Sequence, residues 1–211
     1  CATPMPRNSI HCRKNVNNCS QGAFPWVSTP SKPLTNKEAA MTNTATPLRN
    51  TFVEAMSRAA CTVNVITTDG AQGRAGVTVT AMSSVSADGP TPRLLICLHR
   101  EGSTCQKILE NGVFCVNILR EHQAQIADIF AGRGATHARR RQEITNWVQM
   151  ATGSPRLADP LAAFDCRIVN AQLVGSHYVI FGAVEDVHVA DQDAALIYAN
   201  RNYSRLAAQA A

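Results

Sequence analysis

The sequence of 211 residues has no apolar run that approaches the roughly 18 residues needed to cross a membrane. Its start also lacks the charged segment followed by an apolar segment that marks a secretory signal. We therefore expect a soluble protein that has no membrane partner, is not exported and works in the cytoplasm.

Metal-binding and redox cysteine motifs are also missing. Eight cysteines are present, but none forms the Cys-x-x-Cys pair that zinc and dithiol sites use. Cys61, Cys97, Cys115 and Cys166 lie in apolar, strand-like runs, where a thiol behaves as a small hydrophobic side chain. The sequence predicts buried free thiols and no metal site.

The signatures of several enzyme classes are absent as well. No Gly-x-Gly-x-x-Gly fingerprint follows a first strand, which argues against a Rossmann oxidoreductase. No Ser-His-Asp set, metal-ligand cluster or motif with paired carboxylates suggests hydrolysis. Aromatic residues make up only 5% of the chain, so Val, Ile, Leu and Ala must fill the core, which favours a β-rich interior.

The positive charge is concentrated in one loop. The chain carries a formal charge of +5, and Arg133, Arg139, Arg140 and Arg141 lie close together in a Gly/Arg segment beside His137. Such a cluster can bind nucleic acid, or it can favour a substrate that carries a pyrophosphate. Because no stacking aromatics interleave it, a solvated loop or a subunit contact is the simpler interpretation.

Residues 1–47 differ in composition from the rest. They hold six of the ten prolines and three of the four lysines and show no apolar periodicity, so they cannot bury enough surface to offset the entropy of ordering. We expect a disordered leader or an arm on a partner subunit. Cys1 and the later Met41 suggest that residues 1–40 are not native to the protein.

Periodicity from residue 48 onward predicts a single domain over residues 48–211. Apolar residues at helical spacing predict a first helix that packs across a barrel, and alternating runs predict strands joined by short turns. Many short strands, two long late strands and about three helices together predict a mainly β fold, a barrel with flanking helices. The predicted helices span residues 48–59, 103–111 and 121–130, and the predicted strands span 61–68, 75–80, 94–98, 112–119, 164–174, 178–190 and 196–199.

Two stretches are candidate ligand sites. Residues 76–86 alternate Val, Thr and Ser and lead into the turn at Asp88-Gly89-Pro90, which predicts either an edge strand facing water or a strand that dissolves into a Ser-rich, ligand-binding loop. Ser103 or Thr104 is placed to cap the second helix, where a hydroxyl and free N–H groups form an anion site.

Several blocks of residues in this order resemble the short-chain NAD(P)H:flavin reductases. Within that family, they are most similar to the reductase component of two-component 4-hydroxyphenylacetate 3-monooxygenase systems. The blocks are residues 52–56, 63–70, 76–86, 114–119, Gly175-Ser176-His177, and 196–198 with Arg201 and Tyr203. The resemblance implies the split β-barrel, FMN-binding fold of this family, built as a homodimer with flavin near the subunit interface.

The resemblance also implies an activity and its cofactors. Such a protein transfers a hydride from NADH, or from NADPH, to FAD or FMN and supplies diffusible reduced flavin to a separate aromatic, phenol-type monooxygenase. Hydride transfer requires the two rings to be held in contact, at roughly 3–3.5 Å between reacting atoms, and the reactivity belongs to the cofactors.

Roles for individual residues follow from the same resemblance. His177 is expected beside the nicotinamide as the catalytic residue, although Ser176 replaces the Asp that is common before it in the family. Tyr198 and Arg201 are expected to bind the nicotinamide nucleotide, and Ser103 and Thr104 the flavin phosphate. The remaining flavin contacts are expected from Thr78, Thr80, Ala81, Ser83, Ser84, Cys97, Leu98, His99 and Asn117.

Two hypotheses from other classes remain open at this point. The same barrel can serve as a non-catalytic flavin-binding or flavin-carrier protein. A β-barrel that binds nucleic acid through the cluster from Arg133 to Arg141 is the second alternative. For the flavin reductase we expect no nucleic-acid partner.

Overall fold

A computed structural model of the chain describes residues 46–133, 146–191 and 193–205. All of these residues belong to one compact unit, Thr46–Ala211. Residues 1–45 of the predicted leader and residues 134–141 of the predicted Gly/Arg loop lie outside the described residues. The predictions made for them therefore stay predictions.

The described chain is mainly β with helices at its edges, as the sequence predicts. Its helices are α1 (Pro47–Ser57), α2 (Ser103–Asn111) and α3 (Ala124–Phe130), the last preceded by a 3-10 turn at Glu121–Gln123. Its strands are β1 (Cys61–Thr62), β2 (Asn64–Thr68), β3 (Ala75–Val79), β4 (Met82–Ser86), β5 (Arg93–His99), β6 (Val113–Ile118), β7 (Trp147–Gln149), β8 (Pro155–Leu157), β9 (Ala162–Val174), β10 (His177–Val189), β11 (Ile197–Ala199) and β12 (Asn202–Ser204).

Seven strands form one sheet in the order β3-β2-β6-β9-β10-β5-β4. Strands β3 and β4 are the two edges of this sheet, yet only Thr80 and Ala81 separate them in the chain. Seven flat strands would span about 29 Å at the usual strand spacing, whereas the chain from Val79 to Met82 can reach at most about 11 Å. The sheet must therefore curl until its edges approach each other, which is a barrel split between β3 and β4 and confirms the predicted fold class.

The first hairpin sets the register of the edge strand β3. Strands β2 and β3 pair antiparallel from Asn64↔Val79 to Thr68↔Ala75 around the turn at 69–73. The single strand predicted for residues 61–68 is instead two strands in different sheets. Val63 is the switch point, because its N–H donates to the Leu196 carbonyl while its own carbonyl accepts from the Leu119 N–H.

Two groups of buried side chains fill the fold. Ile66, Ile96, Phe114 and Ile180 are fully buried in the barrel cluster. A second cluster includes Phe130, which meets Trp147 edge to face at 5.9 Å between ring centroids.

The cysteines of the described chain are free thiols, as predicted, but of the four predicted to be buried only Cys115 and Cys166 are. Cys105, Cys115 and Cys166 are buried, and Cys61 and Cys97 are half-buried.

The first helix does not pack across the barrel, so that prediction is wrong. Helix α1 has no buried residue, and Leu48, Phe52 and Met56 are 79%, 61% and 54% exposed. The bonds that hold α1 run instead to the β11–β12 turn, where the Asn200 N–H donates to the Ser57 carbonyl and Arg201 pairs with Glu54. The apolar side of the helix therefore faces outward.

Candidate functional site

The split between β3 and β4 opens into a pocket of about 400 Å³. Its floor comes from the end of β3, from the Thr80–Ala81 link and from the end of β5. Its walls come from β10, from the β11–β12 hairpin and from the segment that follows α3. The lining residues are Val63, Val77, Thr78, Val79, Thr80, Ala81, Cys97, Leu98, His99, Ala131, Arg133, His177, Tyr198 and Tyr203.

A second hollow of about 220 Å³ continues this pocket to the amino end of α2. The two hollows share Val77, Leu98, His99 and Ala131, and the second is also lined by Gly102 and Ser103. We call the combined space the seam groove. It joins the open edge of the barrel to a helix N-terminus, where backbone N–H groups favour an anion.

The amino end of α2 differs in detail from the prediction. Gly102 is the N-cap and supplies no side chain, so neither Ser103 nor Thr104 caps the helix. The buried Thr104 hydroxyl donates to the Gly76 carbonyl at 3.2 Å, which ties α2 to β3. The exposed Ser103 hydroxyl and the first backbone N–H groups of the helix, those of Ser103 and Thr104, are left to bind a ligand, whereas the Cys105 N–H donates to the Gly102 carbonyl.

A pair of histidines lies where β5 and β10 run side by side. His99 and His177 are paired in the antiparallel register, and their rings meet edge to face at 5.1 Å between centroids. The Nδ1 atom of His177 lies 2.9 Å from the Ser176 hydroxyl oxygen, and Nδ1 of His99 accepts from the Glu101 N–H at 3.3 Å. Each ring therefore keeps its Nε2 atom for a ligand in the groove.

The opposite wall carries two tyrosines and an arginine. Tyr198 and Tyr203 meet at 5.6 Å between ring centroids, and the Arg133 guanidinium lies 6.0 Å from the centre of the Tyr203 ring. Tyr203 donates its hydroxyl to Asp128 at 2.9 Å, and Arg133 lies 3.4 Å from the same carboxylate oxygen. Burial, followed by the bond to Asp128, raises the pKa of Tyr203 to about 12, so the phenol stays protonated at neutral pH.

Most of the predicted flavin residues do line the seam groove. Thr78, Thr80, Ala81, Cys97, Leu98 and His99 all border the pocket. The Thr78 hydroxyl donates to the Ala127 carbonyl at 2.7 Å, so it also fastens β3 to α3. Burial raises the pKa of the Cys97 thiol, so this side chain is a neutral wall of the pocket and not a nucleophile.

Four predicted site residues lie elsewhere. Ser83 and Ser84 are exposed residues of β4, an edge strand that pairs with β5, so the predicted Ser-rich loop does not form. Asn117 is fully buried and spends its amide on Val65, Thr67 and Leu157. Arg201 lies in the β11–β12 turn at φ 62° and pairs with Glu54, outside the pocket lining.

Arg133 and Tyr203 also line the pocket, although neither is among the site residues predicted from the sequence. Arg133 lies in the Gly/Arg loop noted from the sequence, and Tyr203 is one of the residues that carry the family resemblance. The sequence marks Arg133 only by its positive charge just after the predicted third helix.

Neither a metal-binding cluster nor a membrane-spanning helix is present among the described residues. Within residues 46–133, 146–191 and 193–205, no group of three or more His, Cys, Asp or Glu side chains is placed to hold a metal ion. No helix in the same ranges is long and apolar enough to span a membrane.

Comparison with known proteins places the chain among flavin reductases. Residues 56–207 match the model of the flavin reductase like domain. The chain is 46% identical over 155 residues to FMN reductase (NADH) RutF 1 of Methylorubrum extorquens, which covers 74% of this chain and 75% of that relative.

Solved structures agree with this placement. A protein assigned as a flavin reductase in Haemophilus somnus superposes with a TM-score of 0.69 at 32% identity, covering 74% of this chain and 98% of that one. BorF, the flavin reductase component of a bacterial two-component tryptophan halogenase, gives 0.67 at 26% identity, covering 74% and 97%. The resemblance drawn from the sequence is confirmed, and the chain belongs to the flavin reductase like domain family.

Proposed function

We propose that this protein is an NADH-dependent flavin reductase that reduces FMN, binding flavin and nicotinamide together in the seam groove. The observation that carries the proposal is the groove itself, which joins the amino end of α2 to the His99–His177 pair across the split of the barrel. The FMN reductase (NADH) name of the relative at 46% identity supports the choice of FMN and NADH over FAD and NADPH.

The residues present fit a flavin. A pocket of about 400 Å³ lies within the range of roughly 300–1,000 Å³ that small-molecule sites occupy. Its walls are aliphatic at Val63, Val77 and Val79, as a planar ring system requires, while the first N–H groups of α2 suit a phosphate. Thr80 offers a hydroxyl that makes no side-chain hydrogen bond among the described residues.

The protein residues contribute mainly by holding the two ligands in position. When bound, the flavin supplies the chemistry by accepting a hydride from the reduced nicotinamide. The aliphatic walls exclude water from the ring faces, and Nε2 of His177 is placed to hydrogen-bond a neutral ligand group such as a carboxamide. Neither role needs a charged catalytic residue, and none of the described residues that line the pocket is Asp or Glu.

We further propose that the reduced flavin leaves for a separate flavin-dependent monooxygenase. BorF is the reductase component of a two-component system, which supports this division of labour. Reduced flavin that diffuses away needs no docking site for the final substrate on this protein. The phenol-type aromatic substrate expected from the resemblance therefore stays a prediction.

A homodimer is part of the proposal. Leu48, Phe52 and Met56 expose the apolar side of α1, and Leu173 and Val174 are 46% and 57% exposed at the end of β9. Apolar surface of this kind is typical of a subunit contact. Light scattering should give twice the 22.7 kDa chain mass, whereas a monomer with full activity would contradict the proposal.

Anaerobic mixing tests the activity and separates it from the carrier alternative. Catalytic amounts of the protein, with excess FMN and NADH, should bleach many equivalents of flavin absorbance. The same assay with FAD, riboflavin and NADPH ranks the cofactors. A protein that binds FMN tightly but bleaches none of it is a carrier, and the proposed function is then wrong.

A further inference from the structure

Arg133 is the only Arg or Lys among the residues that the structure describes in the pocket lining. It lies just beyond α3 and beside the tyrosines of the β11–β12 hairpin. None of the described residues that line this pocket is Asp or Glu, and the carboxylate that pairs with Arg133, that of Asp128, lies outside the lining. A ligand that carries negative charge is therefore attracted to this wall.

The arginine is held in place from two sides. Its guanidinium contacts the Asp128 carboxylate at 3.4 Å, and its backbone N–H donates to the Asp128 carbonyl at 3.0 Å. The neighbouring Tyr198 hydroxyl is the main cause of a raised pKa of Arg133, so the guanidinium stays charged. A guanidinium has five N–H donors, so donors remain for a phosphate after these contacts.

The flavin phosphate has its own place in the proposed arrangement. The hollow at the amino end of α2 is lined by Gly102 and Ser103 but not by Arg133. The pocket that Arg133 lines is the one that also holds His177, Tyr198 and Tyr203. In the proposed arrangement, Arg133 therefore lies beside the residues that bind the nicotinamide nucleotide.

We propose that Arg133 binds a phosphate of the pyridine dinucleotide, with Asp128 and Tyr198 positioning the guanidinium. This inference rests on the proposed function and names the residue that holds the pyrophosphate of NADH. It gives Arg133 the role that sequence resemblance had given to Arg201.

The test compares Arg133→Gln with wild type and with Arg74→Gln. Arg74 is a matched control, because it also pairs with an Asp five residues earlier, is equally exposed and lies outside the groove. Charge-assisted contacts to phosphate are strong, but this side chain is 57% exposed, so we expect the KM for NADH to rise about five- to twentyfold. The Ki of ADP-ribose, which keeps the pyrophosphate and lacks nicotinamide, should rise by the same factor.

Salt and flavin controls identify the group that Arg133 contacts. The wild-type KM for NADH should rise from about 0.01 to 0.3 M salt, as the Debye length falls below ~8 Å, and this dependence should flatten in Arg133→Gln. Arg133→Lys, which keeps the charge without the planar fork, should recover part of the loss. Dissociation constants of FMN and riboflavin should stay within about twofold, less than 0.5 kcal/mol.

Two results would overturn the inference. Weaker FMN binding with unchanged riboflavin binding would assign Arg133 to the flavin phosphate, and unchanged constants throughout would leave it a solvated side chain. If the wild type oxidises no NADH, the proposed function is wrong, but this result alone does not decide whether Arg133 binds the dinucleotide. Calorimetric binding of ADP-ribose to wild type and Arg133→Gln still decides the inference, because equal affinities contradict it.

Discussion

The amino end of α2 allows a ligand-binding hydroxyl to be separated from a structural one beside it. Ser103 is exposed at the mouth of the second hollow, while Thr104 is buried and bonded to the Gly76 carbonyl. Ser103→Ala should therefore affect flavin binding, and Thr104→Val should affect stability.

The structure sets the size of each effect. Loss of the buried Thr104 bond should lower the free energy of unfolding by about 0.5–1.5 kcal/mol and the Tm by about 2–5 °C. Loss of one exposed hydrogen bond to a phosphate should weaken FMN binding about three- to tenfold. Riboflavin lacks the phosphate, so its affinity for Ser103→Ala should match the wild type.

Thermal melting and fluorescence titration with FMN and riboflavin measure both effects on the same samples. The reasoning is refuted if Ser103→Ala loses riboflavin as strongly as FMN. It is equally refuted if Thr104→Val melts like the wild type and loses FMN selectively, because Thr104 would then be the phosphate ligand.

Three further predictions concern other parts of the fold. His177→Ala should raise the KM for NADH or slow flavin reduction about two- to tenfold in stopped-flow assays, with flavin affinity nearly unchanged, and a selective loss of flavin would contradict its placement. Gly182→Ala puts a Cβ 2.6 Å from the Phe114 ring and should cost about 1–3 kcal/mol in denaturant unfolding; wild-type stability would show that the ring can move freely. Burial raises the pKa of Asp165 above its ordinary value near 3.8, so the folded state binds this proton more tightly than the unfolded chain. The free energy of unfolding, measured relative to Asp165→Asn, should therefore fall as the pH rises from 3.8 to that raised pKa. An increase over the same pH range would contradict this prediction.

The local pattern of the sequence was enough to predict the first hairpin. Alternating side chains over residues 61–80 and the Asp-Gly turn predict two paired strands, and β2 and β3 pair in this way. The break at Val63 was not predictable, because alternation continues through it and only the distant carbonyl of Leu196 moves β1 into another sheet.

Side-chain direction limits what the sequence can say about the site. The resemblance implies a flavin contact for Asn117, but its amide bridges β2 and β8 inside the core. Ser83 and Ser84 look like a binding loop, but they extend an edge strand paired with β5. The deciding contacts come from other strands, which are β2 and β8 for Asn117 and β5 for the two serines.

The two arginines show the same limit. Arg201 follows a strand with a tyrosine and resembles a phosphate clamp, yet a turn with two positive φ values points the chain back and pairs Arg201 with Glu54. Arg133 lies in a loop whose positive charge does not indicate which way its side chain points. Its place in the pocket depends on α3, which Thr78 fastens to β3.

A side chain that fills the split tests most directly whether flavin is bound and reduced there. Ala81 is exposed, lies in the link between β3 and β4 and lines the pocket, whereas Ala87 is also exposed but lies outside it. Ala81→Trp should abolish FMN binding and anaerobic bleaching by NADH while keeping the wild-type Tm, and Ala87→Trp should behave as wild type. Wild-type bleaching by a folded Ala81→Trp variant would show that hydride transfer occurs elsewhere.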